Sequence, residues 1–317
     1  MLGKTAGGLF WMFRYLERAE NIARLFETGY RISVTRSASS VDEWSHIVTA
    51  VGSTEQYLER HKSYDFDQVV DFLLRDRTHG SSVMSSIEAA RMNARLVRTA
   101  LTREVWEAVN EAWMTLKAVL QQPVNEADLS DVLATIRQQT SQVRGALHGT
   151  MLRNDIYNFT RMGTFIERCD NTARILDVKY YVLLPSLSYV GSSLDNVQWE
   201  AILRSVSAER AFRWVQANED EDVSMPMSIV KFLILDSRMP RSLCHCAEKT
   251  MRNLVYLSNS YETNPKSLDL SRELHTFTRE QTIDSIFDIG LHEFLESFIH
   301  KAGALGAQIE KDFRFYD

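Results

Sequence analysis

Residues 17–24 read Glu-Arg-Ala-Glu-Asn-Ile-Ala-Arg and residues 167–174 read Glu-Arg-Cys-Asp-Asn-Thr-Ala-Arg, an offset of 150 with five identities in eight. Among the ~50,000 window pairs of a chain this long, roughly one such match arises by chance. Two further blocks lie in the same order. Trp44, Ile47 and Val51 recur as Trp199, Ile202 and Val206 at offset 155, and Phe72, Leu73, Asp76 and Ser82 recur as Phe232, Leu233, Asp236 and Ser242 at offset 160. Small loop insertions in a duplicated unit give such a slowly growing offset. The sequence therefore predicts two related halves, 1–150 and 151–317, packed as one unit.

Apolar residues recur at helical spacing nearly everywhere, and alternating strand patterns are scarce. Gly and Pro number only 13 and 5, about half the usual combined share of roughly 12%, which disfavours turn-rich sandwiches. The expected fold is all-α, about twelve helices in two pseudo-repeated six-helix halves. The first runs from near Thr5 to about Arg36, and Ser40 with Glu43 reads as a capping box for the second. Others cover Phe66 to Arg75, Ser82 to Leu101, a stretch from Thr102 that stops before Pro123, and one after Ser130. The seventh covers Asp155 to Leu184. Later ones start near Ser193, Pro226, Ser242 and Ser271, and the last spans Leu291 to Phe313.

At 100° per residue from Glu17, Asn21 falls at about 40°, Arg24 at about −20°, Glu20 at about −60° and Arg14 at about 60°. These share one face. Leu16, Ala19, Ile22, Ala23 and Phe26 lie opposite, and the seventh helix repeats the split with Glu167, Asn171 and Arg174 against Ile166, Cys169, Ala173 and Leu176. A solvated face would explain the pairs Glu20 with Arg24 and Asp170 with Arg174, each contributing ~0.2–0.5 kcal/mol. A network in a cleft or at the contact between the halves explains why both halves keep the pattern, and why Phe10 and Phe13 share the polar face. That network takes in Arg14, Glu17, Arg18, Glu20, Asn21 and Arg24 with Glu167, Arg168, Asp170, Asn171 and Arg174.

The second recurring unit ends a short apolar helix at Asp76 or Asp236 and leads to Ser82 or Ser242. The acid can close the loop on backbone amides and the serine can cap the next helix; a direct ligand role is the alternative. Arg91, Arg95 and Arg98 follow as a candidate anion-facing stripe, without a counterpart in the second half. Arg241, just before Ser242, adds another cation.

Sharper chemistry is scarce. Glu43-x-x-His46 has di-iron spacing, but a ferritin-like site needs a second such pair. Cys244-His245-Cys246 is too tight for structural zinc, and Glu296 with His300 has no further ligands beside it. No metal or cofactor is expected. Nucleophile-elbow, Walker and dinucleotide glycine motifs are absent. A net charge of −6 gives no footprint for nucleic acid. No run of ~18 apolar residues suggests a membrane span, and the three cysteines, Cys169, Cys244 and Cys246, suggest no disulfide framework. The N-terminal apolar stretch is interrupted by Arg14, Glu17 and Arg18, unlike a signal peptide. A cytoplasmic location is expected.

Leu9-Phe10-Trp11, Arg14 through Arg24, Phe72-Leu73-Leu74-x-Asp76 and Ser86-Ile87-x-x-Ala90-Arg91-x-Asn93-Ala94-Arg95 form an ordered series. Trp106-Glu107-x-x-Asn110, Ile166-Glu167-Arg168-x-Asp170-Asn171, Phe232-Leu233-Ile234-x-Asp236 and Pro240-Arg241-Ser242 continue it. Together they closely resemble the bacterial alpha-E family over essentially the whole chain. Departures are His79-Gly80, where the family tends to an Asn-Pro-like pair, and the stretch Ser258 to Tyr261. The resemblance implies an all-α protein encoded or fused beside an ATP-grasp-like protein, often near a transglutaminase-like peptidase, and so a setting of amide-bond or peptide-tag chemistry.

Three functions remain open at this level. In the first, the chain is a non-catalytic or assisting subunit whose charged face around Glu17, Arg24, Glu167 and Arg174 organises the two halves and presents a docking surface to an ATP-grasp-like ligase. Alternatively it is an enzyme using Glu17 or Glu167 as general acid or base and Arg14, Arg24 or Arg174 to hold an anion of a peptide-like substrate. The third reading is a helical scaffold that binds only proteins.

Overall fold

A computed structural model describes residues 1–34, 44–181, 193–218 and 224–316. The described residues form fifteen α-helices and no strand. They are α1 (Gly3–Val34), α2 (Ser45–Val51), α3 (Thr54–Leu58), α4 (Phe66–Val70), α5 (Val83–Leu96), α6 (Arg103–Val119), α7 (Glu126–Thr150) and α8 (Asp155–Tyr181). After them come α9 (Ser193–Ser205), α10 (Glu209–Gln216), α11 (Met225–Leu235), α12 (Leu243–Tyr261), α13 (Lys266–Arg279), α14 (Ile283–Ile289) and α15 (Leu291–Asp312).

α3, α10 and α14 are the helices beyond the dozen expected. Each has one or two turns, too few to show a helical period in the sequence. Other boundaries move for identifiable reasons. α7 starts at Glu126 because Asn125 accepts the Asp128 amide at 2.9 Å, satisfying a first-turn donor. α13 starts at Lys266, directly after Pro265, rather than near Ser271. α5 ends at Leu96 and gives way to a 3₁₀ turn over Arg98–Ala100. The expected capping box of Ser40 and Glu43 lies outside the described residues.

α1 is the axis of the molecule, packing on α5, α7, α8, α2 and α9. Its side chains feed two separate cores. Phe13, Leu16, Ala19, Ile22 and Phe26 belong to one, built with α5, α6 and α7. Ala6, Leu9, Phe10 and Leu25 belong to the other, built with α8, α9 and α11 through α15. A helix used on both sides buries its polar residues too, so Glu17, Glu20, Asn21 and Arg24 are all buried. Burial of charge is tolerable only where each charge is paired.

α8 crosses α1 at close range. Gly163 permits the approach, since a Cβ there would lie 2.2 Å from the Phe10 carbonyl oxygen. On the far side of the crossing, α2 ends at Gly52 (φ 75°), where backbone in the left-handed region favours glycine and where a side chain would press on Arg174.

The two recurring acid-to-serine loops share one local conformation across 76–82 and 236–242. Asp76 accepts the Thr78 amide at 2.7 Å, and Asp236 accepts the Arg238 amide at 2.8 Å. Ser82 caps α5 by accepting the Ser85 amide at 3.1 Å, and Ser242 caps α12 by accepting the His245 amide at 3.0 Å. The helices leading in differ: α4 closes through a π-helical turn over Asp71–Arg75, whereas α11 remains α-helical to Leu235. No helix among the described residues is long and apolar enough to cross a membrane.

Candidate functional site

The crossing of α1 and α8 brings the two Glu-Arg steps face to face, and each glutamate pairs with the other step's arginine. Arg168 donates to both oxygens of Glu17, at 2.8 and 2.9 Å. Arg18 donates to both oxygens of Glu167, at 2.6 and 3.1 Å. Two-point guanidinium–carboxylate contacts are the strongest and most directional ion pairs available to side chains. Exchanged reciprocally, they fix both the distance and the register of the helices. The solvated reading fails for Glu17, Glu20 and Glu167, which are 1%, 0% and 6% exposed, while the Asp170–Arg174 pair keeps part of its surface in solvent.

Around Glu17 the network is closed. Glu20, one turn on, accepts from Arg24 at 2.8 and 2.9 Å, from Arg241 at 2.5 Å and from Thr140 at 2.9 Å. Arg144 also reaches Glu20, and lies 3.3 Å from Glu17. Arg241 approaches Glu17 as well, at 3.1 Å. Arg24 spends its remaining donors on the Ser205 carbonyl and on the Ser207 hydroxyl. Ser207 itself has a positive φ of 57°.

Around Glu167 the network is looser. Arg14 donates to Glu167 at 2.9 Å, and its guanidinium lies over the Trp11 ring, a cation–π contact. Asn21 donates to the Glu167 backbone carbonyl at 3.1 Å. Arg174 holds Asp170 at 2.7 Å and reaches the Ala50 carbonyl at 3.4 Å. A cavity of about 240 Å³ opens between these groups.

Electrostatics follow the packing. Burial alone would raise the Glu17 carboxyl, but Arg168 and then Arg241 beside it hold it down at about 2. Glu167 is likewise pushed up by burial and pulled down further, to about 2, by Arg18 and Arg14. Glu20 sits well below the usual carboxylate range because Arg241, Arg144 and Arg24 outweigh its burial. Burial, with the neighbouring Arg24, brings Arg241 down to about 9. Carboxylates held this firmly in the ionised state are poor proton shuttles at neutral pH, where a general acid or base works best with a pKa near 7.

Of the sequence-derived candidates, Arg14, Glu17, Arg18, Glu20, Asn21, Arg24, Glu167, Arg168, Asp170, Asn171, Arg174 and Arg241 gather at this crossing. Asp76 and Asp236 close their loops instead, and Asp76 also pairs with Arg60 at 2.7 Å. Arg91 and Arg95 stay on α5. Arg91 stacks on Trp113 at 3.9 Å and donates to Asn110, and Arg98 stacks on Trp106, while Arg95 is exposed. That spread is not a convergent anion cradle. Thr140 and Arg144 lie outside the recurring blocks, and their spacing of one helical turn is too common a pattern to single them out in the sequence.

A family model described as "a predicted alpha-helical domain with a conserved ER motif" matches residues 1–313. The chain belongs to the Alpha-E family. Uncharacterized protein Mb2597 of Mycobacterium bovis is similar to it, 29% identical over 183 residues, covering 52% of this chain and 21% of that protein. Uncharacterized protein Rv2567 of Mycobacterium tuberculosis is 28% identical over the same length, with the same coverage. The Alpha-E chain thus spans about a fifth of the length of the curated relatives it matches. No solved structure matches it.

Among the described residues of this Alpha-E protein, no group of three His, Cys, Asp or Glu side chains is arranged to hold a metal ion. The cysteines are free and buried. Burial pushes the Cys246 thiol up to about 12 and raises those of Cys169 and Cys244, which leaves them weak nucleophiles.

Proposed function

We propose that this chain is the helical accessory unit of an ATP-grasp-like amide-bond-forming system, and that its paired Glu/Arg face is a structural clamp between two related halves, 1–150 and 151–317. The observation that carries this reading is the reciprocal exchange of Glu17 with Arg168 and Glu167 with Arg18. Each carboxylate is consumed by arginines and kept ionised, so the face holds helices in place and moves no protons. The ATP-grasp-like partner comes from the family resemblance. The length of the mycobacterial relatives, of which the matched part is 21%, supports a unit that works beside other domains.

Co-expression with the ATP-grasp-like protein encoded or fused beside this chain is the direct test. A complex that survives gel filtration at micromolar concentration, and ligase turnover that falls at least about tenfold when this chain is omitted, are expected. Absence of a complex overturns the partnership. A complex without any effect on turnover assigns the chain to the scaffold class instead.

A further inference from the structure

We infer that the cavity beside Glu167 binds an α-carboxylate with an adjacent N–H donor, the group presented by a free amino acid or by the C-terminal residue of a peptide. The inference does not depend on the ligase partnership. Arg14, Arg18 and Arg174 line the cavity against two carboxylates, Glu167 and Asp170, so its wall carries one net positive charge. Each guanidinium has five N–H groups, and Arg14 gives only one of them to Glu167. The spare donors fit a planar carboxylate. These cations also remain in reach of solvent: the side chains of Arg14, Arg18 and Arg174 are 16%, 22% and 28% exposed.

Two asparagines supply the second half of the recognition. Asn21 and Asn171 line the same cavity and are 5% and 2% exposed. The Oδ1 atom of Asn21 and both amide atoms of Asn171 have no hydrogen-bond partner. Buried polar atoms are nearly always paired, and three orphans beside one cavity call for a cause. The amide torsion of asparagine is broad, so the Asn171 amide can turn into the cavity. Two free Oδ1 acceptors ask for an N–H donor, and the free Nδ2 donor asks for an oxygen. An N–H next to a carboxylate supplies both, whereas a simple carboxylate brings acceptors alone and a lone cation meets three arginines; inorganic phosphate, whose O–H can also donate, is the competitor that the titration must separate.

The Glu17 side shows how such a space looks when the chain fills it. There the loop before Ser242 sends Arg241 between Glu17 and Glu20. In the loop before Ser82, the residue at offset 160 is Ser81, which lines the cavity with a side chain too short to fill it.

Calorimetric titration of the full chain at pH 7 with L-alanine, N-acetyl-L-alanine, propionate and inorganic phosphate tests the assignment. At least one of the first two is expected to bind saturably and at least about tenfold more tightly than propionate or phosphate. Which of them binds distinguishes a free amino acid from a peptide end. Asn171→Leu is expected to weaken that binding at least about tenfold while raising the melting temperature by about 2 °C, because the orphan amide is gone. Ser81→Leu, which narrows the cavity from the loop side, keeps the test decisive if Asn171→Leu fails to fold. Equal binding of all four probes, no saturable binding, or unchanged binding in folded variants overturns the inference.

Discussion

The Glu17 and Glu167 clusters start from the same Glu-Arg step and end differently: one is sealed, the other open. Glu17 shares its surroundings with Glu20, Arg24, Arg144, Arg168 and Arg241, whose side chains are at most 18% exposed. Glu167 shares its surroundings with Arg14, Arg18, Asp170 and Arg174, which keep between 16% and 29%. The difference arises outside the repeated step. Thr140 and Arg144 on α7, together with Arg241 in a loop, close one cluster. At the other, Ser81 stands at the loop position corresponding to Arg241, and Asp170 where the longer Glu20 stands. Identical local sequence therefore fixes the pairing, and the non-identical neighbours decide whether water and ligands can enter.

That contrast makes a quantitative expectation. Removing one partner of a buried, desolvated pair leaves an uncompensated charge and costs about 3–5 kcal/mol, which is the cost expected of Glu17→Gln. Glu167→Gln releases Arg14 and Arg18 into contact with solvent and should cost about 1–2 kcal/mol. Urea denaturation of both variants measures the gap. Equal costs would erase the distinction between a sealed and an open cluster.

Acid should act on both clusters together. The folded-state carboxyls of Glu17 and Glu167 lie at about 2, against an ordinary value of 4.5, so between those values the unfolded chain binds more protons than the folded one. Their stabilisation is present in full above about pH 4.5 and is lost as the pH falls through the folded values. Stability measured from pH 5 to pH 2 should drop steeply in the wild type and less in Glu167→Gln, which has one such carboxyl fewer. A parallel pH profile for the two proteins would show that Glu167 is not held by its arginines.

The smallest effects should come from the recurring loops, where the two regions are alike. Ser82→Ala and Ser242→Ala each remove a cap and should each cost about 1 kcal/mol. Ser242→Ala should be the more costly, because the Ser242 hydroxyl donates to the Asp236 backbone carbonyl at 2.6 Å, whereas the Ser82 hydroxyl donates only to the neighbouring Ser85 hydroxyl at 3.0 Å. Thermal melts of the pair read this directly.

Helical periodicity announced the all-α class, since period 3.6 persists through every long element. It missed α3, α10 and α14, which are shorter than the window in which a period can be recognised. Helical spacing puts Arg14, Glu17, Glu20, Asn21 and Arg24 on a single face, but that spacing carries no information on what packs against it. That Glu17 meets Arg168 rather than Arg14, or that Arg144 reaches across from α7, depends on tertiary distances of well over a hundred residues in sequence. The cavity was beyond reach for the same reason: it exists because of a side chain that is short, Ser81, and amides that are left over, Asn21 and Asn171.

The reciprocal clamp is tested most directly by a double-mutant cycle on Glu17 and Arg168, with Glu17→Ala, Arg168→Ala and the double variant unfolded in urea. A buried two-point pair predicts a coupling of at least about 2 kcal/mol, at the upper end of the range for contacting residues. A coupling near the ~0–1 kcal/mol typical of exposed pairs would contradict the clamp.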